Sequence, residues 1–128
     1  MKRRISLWGA SLAAALAAGA AAQAEAPRAI DVVARGDRFE PALIEVVEGE
    51  RVVLRARATD GKGHGIAIKE MKIKAALPKT GEVVPIEIQA GKAGVYTISC
   101  SVYCGRGHSR MRARLVVAPR HVKGATTR

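Results

Sequence analysis

Aromatic residues and acids are scarce in this sequence. Trp8, Phe39, Tyr96 and Tyr103 are its only aromatics, 3% of 128 residues, and Trp8 lies in an apolar N-terminal segment. Proteins that stack single-stranded bases need a series of such rings, so the positive charge is not the signature of a nucleic-acid binder. Asp and Glu number 11 against 22 Lys and Arg, a net charge of +11. There is no internal repeat, no glycine motif of the nucleotide-binding kind and no Ser-His-Asp arrangement. Cysteine is limited to two positions and histidine to three. The chain is long enough for one domain, and about 100 folded residues can bury roughly 60–70% of their unfolded surface.

The amino terminus has the layout of a secretory signal. Met1-Lys2-Arg3-Arg4 is basic, Ile5 to Ala18 is apolar and mostly alanine, and Ala22-Gln23-Ala24 fits a small-x-small cleavage site. A membrane-spanning helix wants about 20 strongly apolar residues, whereas this stretch is alanine-rich and broken by Gly9 and Gly19. Residues 1–24 therefore read as a signal peptide, 25–119 as one domain and 120–128 as a mobile basic tail. Cleavage removes Lys2, Arg3 and Arg4 and no acid, leaving 19 basic against 11 acidic residues, or +8. The expected location is the periplasm, with membrane contact only if the segment stays uncleaved. Charge of this size in an exported protein points to an anionic membrane surface or an acidic protein partner.

From Ala29 onward the dominant period is two. Ile30 to Ala34 is a short first strand, Arg35 to Arg38 a turn, and Leu43 to Val47 a further strand. In Arg51 to Ala58, Val52, Leu54, Ala56 and Ala58 face one way and Arg51, Val53, Arg55 and Arg57 the other, the pattern of a half-solvated antiparallel strand. Lys69 to Leu77 is rich in helix formers and suggests one or two helical turns. Val84 to Gln89 alternates but contains Pro85, which assigns it to a sheet edge. Tyr96, Ile98 and Cys100 share a face, as do Ala113, Leu115 and Val117 in the last strand. Short strands with regular turns predict an all-β sandwich.

Between those last two strands lies Cys100-Ser101-Val102-Tyr103-Cys104-Gly105-Arg106-Gly107-His108-Ser109-Arg110-Met111. Thiolate, imidazole and thioether are the donors that select copper, and thioether is a poor ligand for zinc or magnesium. His64, at a glycine-flanked turn before Ile66-Ala67-Ile68, is the only other histidine in the body of the domain. His121 falls in the tail and reads as solvated, and Met71, flanked by lysines, as packed on the sandwich. Taken alone, Cys100 and Cys104 would make a disulfide in most exported proteins, His64 would be a loop histidine and Met111 a core residue. Their combination is what points to metal.

Cys100-x3-Cys104-x3-His108-x2-Met111 resembles the binuclear copper A loop of cytochrome c oxidase subunit II. Cys100-Ser101, Cys104-Gly105 and His108-Ser109 agree within the loop, and Phe39-x-Pro41, Ile44-x-Val46, Gly49, His64 to Ile68 and Gly94 to Cys100 extend the likeness over most of the domain. The resemblance implies a cupredoxin-like Greek-key β-sandwich or barrel. It implies two copper ions bridged by Cys100 and Cys104, with His64 on one and His108 on the other. Met111 sulfur and the Val102 backbone carbonyl would be weak outer ligands. The sequence departs from the family in four respects. Paired membrane helices are absent from its amino end. Asp60 precedes His64 by four positions through Gly61-Lys62-Gly63, and the domain has no tryptophan. Lys62, Arg106 and Arg110 near the ligands put positive charge where the oxidase subunit presents acids.

The function expected is thus one-electron transfer at a copper A centre, not catalysis, either between soluble redox partners or as a donor or accessory domain of a respiratory oxidase. A mononuclear blue-copper site of Cys104, His108, Met111 and His64 keeps the fold and changes the metal count. A copper storage or delivery protein, or a metal-free interaction domain held by a Cys100–Cys104 disulfide, would be of another class.

Overall fold

The computed structural model describes residues 26–121; the expected signal segment and the end of the tail lie outside the described residues. Alternation of apolar and polar side chains builds nine strands: β1 (Arg28–Arg35), β2 (Arg38–Glu40), β3 (Leu43–Val47), β4 (Arg51–Ala58), β5 (His64–Ile68), β6 (Ile73–Leu77), β7 (Val84–Gln89), β8 (Gly94–Ser99) and β9 (Arg112–Ala118). They form two sheets, β2-β1-β4-β7 and β3-β9-β8-β5-β6. Neighbours in these sheets are often remote in sequence, which makes the fold the expected Greek-key β-sandwich. Among the described residues no helix is long and apolar enough to cross a membrane.

The inward faces are those the period of two selects. Val32 and Ala34 of β1, Val52, Leu54, Ala56 and Ala58 of β4, and Ile86 and Ile88 of β7 meet Ile44, Val46, Ile66, Ile68, Ile98, Leu115 and Val117 of the other sheet. Each fully buried Leu, Ile or Val stabilises the fold by about 1.5–3 kcal/mol relative to exposure. Phe39, from the short β2, is also buried. β7 lies at a sheet edge, as Pro85 requires.

Two expectations are corrected. The helix former-rich stretch after Ile68 holds only a single 3-10 turn, Lys69–Met71, before the chain enters β6. Lys72, at φ 54°, ends that turn. Ile73, Ala75 and Leu77 then face the inside against Ile68, Ile66 and His64 of β5. Burial of that alternate set outweighs the few tenths of a kcal/mol per residue that helix propensity offers to Lys, Ala and Glu. β4 has the expected alternation but is antiparallel only to β7; along its other side it runs parallel to β1, from Arg28 opposite Val52 to Ala34 opposite Ala58. Met71 packs half-buried against the core, and His121 is exposed.

β9 is the strand that ties this frame to the ligand loop. It lies between β3 and β8 and follows directly on Met111. Leu115, fully buried at its centre, is paired with Ile44 on one side and Tyr96 on the other. Leu115→Ala should cost about 2–5 kcal/mol. In urea unfolding this appears as a lower midpoint with an unchanged slope; a loss under 1 kcal/mol would show that the two sheets are not packed through this residue.

Candidate metal centre

Cys100 follows the last residue of β8 and Met111 immediately precedes β9, so a strand pair carries the ligand loop at its end. The loop is closed at its base by the Cys100 amide donating to the Met111 carbonyl at 3.3 Å. Its far half is a 3-10 turn, His108–Arg110. Gly107, at φ +88°, enters that turn, and a Cβ there would come within 2.7 Å of the Asp37 Cβ. The β1–β2 turn therefore packs directly on the loop, at a position only glycine fits. On the other side, a Cβ on Gly65 would collide with the Ser101 hydroxyl, so the bare backbone of β5 lets the Cys100–Cys104 segment lie close.

This scaffold brings all the expected side chains together. Cys100, Cys104, Met111 and His64 are buried and His108 is half-buried. Cys104 is the hub: its Sγ lies 3.7 Å from Cys100 Sγ, 3.6 Å from His108 Nδ1 and 3.7 Å from Met111 Sδ. A ring nitrogen of His64 and both sulfurs lie within 4.8 Å of one another. The Val102 carbonyl oxygen accepts from Cys100 Sγ at 3.1 Å. Both cysteines are free thiols. Arg106, Arg110 and Lys62 are exposed around the loop, and Tyr103, 78% exposed, holds its ring 5.6 Å from that of His108.

Sequence reasoning did not assign a role to Asp60. Its carboxylate accepts from His64 Nε2 at 3.0 and 3.1 Å, from the Gly36 amide at 2.8 Å and from the Lys62 amide at 3.2 Å. Burial pushes this carboxyl up, but the Gly36 amide, then His64 and the Lys62 amide outweigh it and hold the pKa at about 2. An ionised carboxylate can only accept, so His64 Nε2 is the donor, and in the neutral ring Nδ1 is the nitrogen that carries the lone pair. That Nδ1 is buried and has no hydrogen-bond partner. The signal in the sequence was the spacing of four between Asp60 and His64 across Gly61-Lys62-Gly63, a turn short enough to fold the carboxylate back on the ring.

Burial also pushes the Cys104 thiol up to about 11, with Cys100 adding to the effect. Two close thiols, a thioether, a second imidazole and an orphaned imidazole nitrogen form a donor set that fits a soft metal ion. A buried lone pair without a partner would otherwise cost about 1–3 kcal/mol.

A family model described as a cupredoxin-like domain matches residues 9–117. The chain belongs to this family of β-sandwich domains. Within it, the structure is similar to a chain of a heme-copper terminal oxidase dimer, with 26% identity and a TM-score of 0.61, covering 70% of this chain and 64% of that one. The present chain thus spans less than two thirds of that oxidase chain. The periplasmic domain of subunit II of cytochrome oxidase from Bradyrhizobium japonicum is 16% identical, with a TM-score of 0.64 and coverage of 75% and 87%. Auracyanin A, a blue copper protein of Chloroflexus aurantiacus, is 20% identical, with a TM-score of 0.57 and coverage of 72% and 99%. No curated protein gives a significant match.

The Asp60 arrangement generates a prediction with two readouts. Its folded pKa lies below the usual 3.8, so its contribution is present above that value and is lost as pH falls through about 2. In the metal-free protein this amounts to about 2 kcal/mol. Asp60→Asn should lower stability at pH 7 by about that amount and flatten the acid limb between pH 4 and 2. Its amide can also donate to Nε2, moving the proton to Nδ1, so copper affinity should fall about 10–100-fold. An unchanged acid limb together with unchanged affinity would remove Asp60 from both roles.

Proposed function

We propose that this protein is an exported electron carrier holding two copper ions through Cys100 and Cys104 as shared ligands, with His64, His108, Met111 and the Val102 carbonyl completing the set. The observation that carries the reading is the buried, unpartnered Nδ1 of His64, on a ring whose nitrogen reaches both thiols. Bound copper would supply one-electron redox chemistry spread over both metals. The protein's part is to hold the ligands still. Cys100 and Met111 are fixed by the hydrogen bond that closes the loop, His108 by its 3-10 turn and His64 by Asp60. Ligands that do not move when charge arrives leave little reorganisation to slow the transfer. On this reading the protein carries electrons and another protein performs the chemistry.

Copper uptake requires both thiols to lose their protons, and Cys104 holds its proton up to about pH 11 in the free protein. Binding therefore releases protons and strengthens as pH rises. Likeness to oxidase subunit II supports a place as donor or accessory domain of a respiratory oxidase, and a periplasmic location. Lys62, Arg106 and Arg110, exposed about the loop, suit an acidic redox partner.

A second reading has one observation in its favour. Cys104 alone contacts His108, Met111 and Cys100, so a single blue copper could sit on Cys104 with His64 and leave Cys100 as a bystander. Metal stoichiometry and paramagnetic resonance decide between them. Reduced protein loaded with copper should bind two ions per chain and show one electron split by two equivalent copper nuclei. Cys100→Ser should reduce this to one ion, and Met111→Leu should keep both while shifting the potential. One ion with splitting from one nucleus in the wild type establishes the blue-copper site; no binding after reduction leaves a metal-free interaction domain.

A further inference from the structure

Of the five large apolar side chains exposed among the described residues, three share one face, with Val83 and Tyr103 elsewhere. Val95, Leu43 and Val47 are 65%, 50% and 39% exposed, and all three project from the outer surface of the β3-β9-β8 part of the second sheet. Val116 links them in the register: it is opposite Val95 on one side and Glu45 on the other, while Leu43 and Val47, two positions either side of Glu45 on β3, are opposite Arg114 and Ala118. A depression of about 690 Å³ adjoins this patch, lined by Val47, Val116 and Ala118 together with Arg28, Arg120, Glu45 and Glu50. Toward the ligand loop the same face carries Arg112 and Arg114, both exposed, beside Ser99 and Thr97.

Arginines paired with carboxylates lie on the first sheet, where Arg51 and Arg57 of β4 are unpaired as well. Among the described residues, the Arg–carboxylate pairs are Arg28–Glu50, Arg35–Glu40, Arg38–Asp37 and Arg55–Asp31, and every arginine in them belongs to β1, β2 or β4 of the first sheet. Arg112 and Arg114 on β9 have no such partner; Glu45 is the one acid among the outward residues of β3, β8 and β9. An apolar strip that holds a single acid, Glu45, and has unpaired arginines at one end has the composition of a protein interface rather than of an ordinary surface.

We propose that this outer face is a docking surface for a protein whose contact area is apolar at the centre and rimmed by carboxylates. A second copy of this chain would set Arg112 and Arg114 against a molecule of the same net positive sign. A lipid surface is a poorer fit, because insertion uses several protruding Leu, Phe or Trp side chains, whereas here Leu43 is the single such residue and the rest of the strip is valine and alanine. Val95 and Val116 are each five residues along their strands from Cys100 and Met111, about 17 Å. A partner seated over them leaves the ligand loop open, so the face serves to hold the protein to an acidic neighbour and does not depend on how many metal ions the loop binds.

The test uses the full chain, labelled with nitrogen-15, and a synthetic peptide of alternating leucine and glutamate as probe. The expected result is a shift of the Leu43, Val95, Arg112, Arg114 and Val116 amides with those of His64 and Cys104 unmoved. Affinity should fall about ten-fold or more in R112E/R114E at low salt and fall again in Val95→Asp; both changes are at exposed positions and should leave the unfolding midpoint intact. The proposal is overturned by shifts confined to the loop around Arg106 and Arg110, or by equal affinity in the reversal variant. Absence of peptide binding overturns it too, as do face-specific shifts that vanish on dilution with a sedimenting dimer. Binding to phosphatidylglycerol vesicles that R112E/R114E abolishes, with no response to the peptide, would assign the face to lipid instead.

Discussion

The carboxylate of Asp60 is the contact on which the arrangement of the candidate centre depends. It joins the β1–β2 turn through Gly36, the loop before β5 through Lys62, and the imidazole of His64. Three donors on one largely buried acid keep it ionised, and an ionised acceptor dictates which nitrogen of His64 bears hydrogen. The lone pair inside the protein is a consequence of that choice. Because the same turn that supplies Gly36 also supplies Asp37, which packs on Gly107, the clamp reaches His108 as well. Two imidazoles from distant parts of the chain are thereby referred to one short turn between β1 and β2.

Sandwich packing does the rest. Cys100 and Met111 are extensions of β8 and β9, whose pairing runs from Gly94 opposite Val117 to Ser99 opposite Arg112. Moving either ligand would require displacing a strand with a buried face. The free ring nitrogen, the two sulfurs and the thioether are held by a framework whose stability comes from apolar burial, not from the metal. This is the situation in which a redox centre changes charge with little movement of its surroundings.

Much of this was legible in the sequence, for identifiable reasons. Cys100, Cys104, His108 and Met111 lie within twelve residues, so their meeting needs only a loop, and a loop is local information. The inward faces of β4, β8 and β9 follow from a period of two. The parallel pairing of β1 with β4 does not, because alternation shows which side of a strand is buried and says nothing of what runs beside it. Lys69 to Leu77 misled for a different reason: its lysines and alanines favour helix locally, while the alternation of Ile73, Ala75 and Leu77 becomes decisive only once β5 is there to pack against. His64 was recognisable as a ligand candidate, but its tautomer was not. That depends on Asp60 being bent back through a glycine turn and on Gly36 arriving from another strand.

If the protein is exported as proposed, two buried thiols 3.7 Å apart face an oxidising compartment, and the protein's electrostatics bear on their survival there. Thiolate is the species that attacks disulfides and oxidants. With the Cys104 thiol pushed up to about 11, its thiolate fraction at neutral pH is on the order of 10⁻⁴, against about 3% for an ordinary cysteine. Burial thus suppresses the reaction that would close the pair. The cation that deprotonates Cys104 must come into contact with it, and a metal ion does so by replacing the proton. Cys104 is in this way kept protonated until a metal ion takes the proton's place.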